Sequence, residues 1–132
     1  MGDSPHNSER NVAILAAISE HNQIWHRLKV WAVECNLTTI RTDDIDDLLS
    51  RKARLVIVDL TLIGSNNWGI YRLKCSAGIN KYSRHLLLGY ISDYEDIYRY
   101  DFKNGLNEVH CFALEQGTDY ALTLIEALCR ND

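Results

Sequence analysis

Leu55-Val56-Ile57-Val58 is an unbroken branched apolar run that leads directly into Asp59 and Leu60. A run of this kind reads as a central strand, buried on both faces of a sheet. In an open α/β sheet, ligands and chemistry gather at the carboxyl ends of such strands. Asp59 therefore marks the mouth of a site, or it is a strand-ending carboxylate that accepts N–H bonds from the loop after it.

The chain has 132 residues, which suits one domain with a sizeable core. Its formal charge of -4 and its lack of a Lys/Arg run argue against direct nucleic-acid binding. No apolar run approaches the roughly 20 residues of a membrane span. Residues 1–10 have no apolar stretch of the signal-peptide kind. They are expected to form a disordered leader or tag, with the domain over 11–132. Cys35, Cys75, Cys111 and Cys129 are scattered, with no C-x-x-C pair. That usage predicts reduced, mostly buried thiols in a cytoplasmic protein. It also lacks the clustered spacing of zinc sites.

Helical and strand patterns alternate along the chain, as in successive βαβ units. Asn11–Ala17 reads as the first strand, and Ser19 is expected to cap the helix after it, with Glu20 in the first turn. Ile24, Leu28, Trp31 and Cys35 recur at helical spacing, and Asn36 is a C-terminal stop. Leu37–Arg41 is a short second strand. The helix after it starts at Thr42 or Asp43, and its Asp43, Asp44, Asp46 and Asp47 match the helix dipole. Leu55–Leu60 is the third strand, Thr61–Asn67 a loop, and Trp68–Ala77 a helix ended by Gly78. Trp68 is expected to cover the loop above Asp59. Leu86–Tyr90 is the fourth strand, followed by a helix capped by Ser92 and closed by Gly105. Val109–Leu114 is the fifth, and a last helix opens at Gly117-Thr118-Asp119. With right-handed crossovers, this pattern predicts a flavodoxin-like α/β fold: a doubly wound five-stranded parallel sheet, order 2-1-3-4-5, with five helices.

Over about residues 11–130, the alternation, the L-V-I-V-D-L strand and Asn104-Gly105-Leu106-Asn107-Glu108-Val109 resemble the receiver domain of bacterial response regulators. The resemblance implies a phosphoryl-accepting aspartate at Asp59. It also implies Mg²⁺ held with an acidic pair ending strand one, a Ser/Thr ending strand four and a Lys ending strand five. Phosphoryl transfer is mostly positioning and charge neutralisation, so the carboxylate needs those partners. In this chain the acidic pair falls on Ala16 and Ala17. The Ser/Thr position falls on Tyr90, or on Ser92 with a shift of two, and the Lys position falls near Phe112. Alanines offer no oxygen ligands to a hard cation.

The resemblance therefore implies a degenerate, non-enzymatic pseudo-receiver with no cofactor. It would regulate by binding a protein partner, or itself, through its fourth helix, fifth strand and fifth helix. Tyr94, Tyr98, Arg99, Tyr100 and Phe102 are the expected interface, since exposed Tyr and Arg suit protein contacts. One alternative is a true phospho-acceptor, phosphorylated by a histidine kinase. It would use Mg²⁺ on Glu20, Asp59 and Asp93, with Glu115 at the same edge. Another is a flavodoxin-like binder of a nucleotide or flavin. Against that, Ala16-Ala17-Ile18-Ser19-Glu20 has no glycine to cradle a phosphate. A hydrolase is the weakest reading, for want of a G-x-S-x-G motif.

Overall fold

The computed structural model describes residues 12–76, 78–97 and 105–130. Its elements run β1 (Val12–Ala17), α1 (Gln23–Glu34), β2 (Thr39–Thr42), α2 (Ile45–Ser50), β3 (Ala53–Asp59), α3 (Leu60–Cys75), β4 (Arg84–Gly89), α4 (Ile91–Ile97), β5 (Glu108–Ala113), a 3₁₀ turn (Leu114–Gln116) and α5 (Thr118–Arg130). All strand pairs are parallel, in the order β2-β1-β3-β4-β5. This is the flavodoxin-like doubly wound arrangement, with helices on both faces.

The period of two along each strand explains the two cores. Ile14, Ala16, Leu55, Ile57, Leu86 and Leu88 point to one face, where α1 and α5 bring Ile24, Leu28, Ala121 and Ile125. Leu15, Ala17, Val56, Val58 and Leu87 point to the other, against Leu48, Trp68, Tyr71, Tyr94 and Ile97 of α2, α3 and α4. A sheet covered on both sides has no polar face, which is why β1 and β3 read as continuous apolar runs.

Several boundaries differ from expectation. Ile18 is fully buried, and its N–H donates to the Thr42 carbonyl, so the chain stays extended past β1. The cap of α1 is consequently Asn22, whose Oδ1 accepts the Ile24 N–H at 2.8 Å. Ser19 only accepts the His21 N–H. Asn36 does end that helix. It sits in the left-handed region at φ 58°, and Leu37 N–H reaches back to the Ala32 carbonyl. Cys35, expected in the buried stripe, is exposed, whereas Trp25 and Ala32 are buried. The cap of α2 is Asp44, which accepts the Asp46 N–H at 3.0 Å.

The largest correction is the expected loop over 61–67, which is helical. α3 begins at Leu60 and is interrupted only at Gly64, at φ 82° and ψ 159°. Asn67 Nδ2 donates to the Ile63 carbonyl at 2.8 Å and so satisfies an acceptor beside the break. The apolar stripe Leu60, Ile63, Trp68, Tyr71 and Cys75 holds both pieces on the sheet. Trp68 therefore does not cover a loop above Asp59. It is buried against Tyr71 and His85, with ring centroids 5.7 and 6.1 Å away.

Candidate functional site

The strand order reverses beside β1, which brings the segment after β1 against the end of β3. There Asp59 is only 2% exposed. It is the last residue of β3 and the N-cap of α3 at once. Its Oδ1 accepts the Thr61 N–H at 2.9 Å and the Thr61 hydroxyl at 2.6 Å. Its Oδ2 lies 3.4 Å from the Asn22 amide, a long bond that Asn22 can make because it also caps α1. Burial pushes the Asp59 carboxyl above its ordinary value. The Thr61 bonds oppose that shift, and the charge of nearby Asp93 adds to it.

The surroundings of a phosphoryl acceptor are not assembled here. Ala16 and Ala17, at the positions of the acidic pair, are fully buried, as is Ile18 after them. Phe112, near the Lys position, is buried in the core shared with α5. Tyr90 is about half-exposed and Ser92 is exposed. Ser92 lies inside the first turn of α4 instead of capping it. Asp93 does the capping, since its Oδ2 accepts the Tyr90 N–H at 2.8 Å.

Glu20, Asp59 and Asp93 do not come together as a cation shell. Glu20 lies at the surface, 3.5 Å from His21. Asp93 caps α4, and both oxygens of Glu115 lie 3.1 Å from the Ile91 N–H. Among the described residues, no group of three or more His, Cys, Asp or Glu side chains could hold a metal ion.

The expected interface changes as well. Tyr94 is buried, with its hydroxyl 2.8 Å from the Leu87 carbonyl and 2.6 Å from that of Phe112. It also accepts the Phe112 N–H at 3.2 Å. Tyr94 thus ties α4 to β4 and β5 and offers nothing to a partner. Tyr98, Arg99, Tyr100 and Phe102 lie outside the described residues. The exposed large apolar side chains nearby are Tyr90 (48%), Ile91 (59%) and Tyr120 (67%), at the starts of α4 and α5.

Asn22 and Thr61 are the partners of Asp59 that sequence reasoning missed. A Thr two residues after a strand-ending Asp is the available signal for a local side-chain cap. Asn22 was hidden by the earlier capping candidate Ser19. The chain matches no protein-family model, no curated protein and no solved structure. Among the described residues, no helix is long and apolar enough to cross a membrane.

Proposed function

We propose that this chain is a pseudo-receiver of two-component-type signalling, a regulatory module that binds a protein partner or a second copy without being phosphorylated. The observation that carries the reading is the state of Asp59. It is enclosed, its Oδ1 is spent on Thr61, and alanines stand where a Mg²⁺ shell would need carboxylates. A buried, capped carboxylate serves the fold, and a surface then carries the function. Tyr90, Ile91 and Tyr120 supply exposed apolar area at the starts of α4 and α5, on the expected side of the domain. The four free cysteines fit a reducing, cytoplasmic setting.

Thermal denaturation with and without excess Mg²⁺ tests the loss of the metal site. The midpoint is expected to stay unchanged. A working site would add about 2.7 kcal/mol at a hundredfold excess of ion over Kd, and a rise of that order would sink the reading.

The cap itself predicts a second result. Asn caps helices as well as Asp does and carries no buried charge. Asp59→Asn should therefore hold stability within about 1 kcal/mol at neutral pH, while Asp59→Ala loses about 0.5–2 kcal/mol. Urea denaturation of both variants gives the comparison. A loss in Asp59→Asn as large as in Asp59→Ala would contradict a capping role.

A further inference from the structure

We propose that the outer face of α1 is a self-association surface, on which a second copy of this chain lays its own α1 antiparallel. The helix carries two stripes. Ile24, Trp25, Leu28 and Ala32 turn inward and pack on the sheet. On the solvent side His26, Val30 and Val33 recur at spacings of four and three, the a/d spacing of helices that pair. Val30 is 61% exposed and Val33 75%.

A helix that only covers a sheet is expected to be polar on its outer face. Valine is also a weak helix former, because its branched side chain loses χ1 freedom against the preceding turn. Neither valine belongs to either core, so within one copy nothing offsets that cost. The helix that presents them is well set. It is capped by Asn22 and ended by the left-handed Asn36. A fixed surface lowers the ordering cost of binding.

The charges beside the stripe select the occupant and its direction. Arg27 and Glu34 lie two helical turns apart on the same flank. A two-fold axis perpendicular to the helix brings like flanks together. With that axis between Val30 and Val33, Val30 of one copy opposes Val33 of the other. Arg27 then comes within about 3 Å, along the helix, of Glu34 of the second copy. The same pair forms twice. Glu34 is exposed and has no ion pair among the described residues. Arg27 is held from α5, where its Nη1 bonds Asp119 Oδ1, and a guanidinium keeps further N–H donors for a second carboxylate. On the opposite flank, Lys29 is drawn over its own Trp25, 5.9 Å from the ring centroid. A parallel pair would set Arg27 against Arg27 and Glu34 against Glu34. The face is therefore complementary to itself in the antiparallel sense.

One helix from each copy buries less than the roughly 1,200 Å² of stable interfaces, so the dimer is weak and reversible. The pairing uses a face other than that of Tyr90, Ile91 and Tyr120. It stands whatever the chemistry of Asp59, and a phosphate adduct there would leave it intact.

Sedimentation equilibrium of the full chain from about 1 µM to about 1 mM tests it. A monomer–dimer equilibrium is expected. Val33→Lys should weaken it about tenfold or more, and Glu34→Arg and Arg27→Glu should each weaken it about tenfold through two like-charge contacts. An equimolar mixture of Glu34→Arg and Arg27→Glu sets unlike charges together again and should associate about as tightly as the unmodified chain. A role of Arg27 confined to its own fold gives no such recovery. The substituted side chains lie at the surface, so circular dichroism should show an intact fold. A chain that stays monomeric to about 1 mM would overturn the proposal. So would a dimer that Val33→Lys leaves unmoved, a dimer that Tyr120→Ala disrupts instead, or a mixture of the two charge variants that does not recover.

Discussion

Trp68→Ala should cost about 3–5 kcal/mol of folding free energy, the largest loss expected from a single truncation in this chain. Trp68 is 1% exposed and packs between α3 and the sheet with Tyr71 and His85, both fully buried. Its ring meets Tyr71 at 30° and His85 edge-on at 65°. Removing it deletes the transfer energy of a large ring and leaves a cavity. The neighbours cannot close that cavity because their own polar atoms are committed. Tyr71 Oη is 3.0 Å from His85 Nε2, and His85 Nδ1 is 3.0 Å from the Ser83 carbonyl. A domain of this size has only about 5–15 kcal/mol in total, so the variant should be marginal. Urea denaturation at neutral pH should show a lower midpoint with a similar slope. A loss under about 1 kcal/mol would mean that Trp68 is not in this core.

Acidification from pH 6.5 to about 4 should remove about 3 kcal/mol through His85 alone. Burial pushes His85 down from its ordinary 6.5 to about 4, more than its bond to Ser83 raises it. The Ser83 carbonyl can only accept, so the proton of the neutral ring sits on Nδ1, and Nε2 accepts from Tyr71. Above pH 6.5 the ring is neutral in both folded and unfolded chains and has no effect on stability. Between 6.5 and 4 the unfolded chain takes up a proton that the folded chain refuses, so stability falls as pH falls. Asp59 acts oppositely. Its raised value lets the folded chain bind a proton first, which adds stability as pH falls through that raised value. Glu108, held low by His110, loses its contribution only as pH falls below its ordinary 4.5. Urea denaturation across this window should show the fall in the unmodified chain. In His85→Gln the baseline is lower, and the fall should shrink by about 3 kcal/mol. An unchanged slope in that variant would show that His85 is not the group refusing the proton.

The sheet was legible because burial on both faces leaves a direct mark. Leu55–Val58 and Val12–Ala17 are apolar at every position, and the predicted strand order is the one found. Helix starts were less legible because several residues compete for each cap. Ser19 was a valid candidate until Ile18 proved to continue the extended chain, which moved the cap to Asn22. Gly64 with Asn66 and Asn67 reads as a loop by composition, but the apolar stripe from Leu60 to Cys75 outweighs one glycine. At the site, Asp59 and the alanines at 16 and 17 stood out in the sequence. The closure of Asp59 by Thr61 and Asn22 did not, because it depends on where α1 begins. Tyr94 was misplaced because its polar tip suggests a surface, yet its hydroxyl finds backbone partners inside.

The most direct measurement is intact mass after incubation with acetyl phosphate and excess Mg²⁺, on the unmodified chain and on Asp59→Ala. The account predicts no phosphate adduct on either. An adduct on the unmodified chain that is absent from Asp59→Ala would make Asp59 a phosphoryl acceptor and contradict the account.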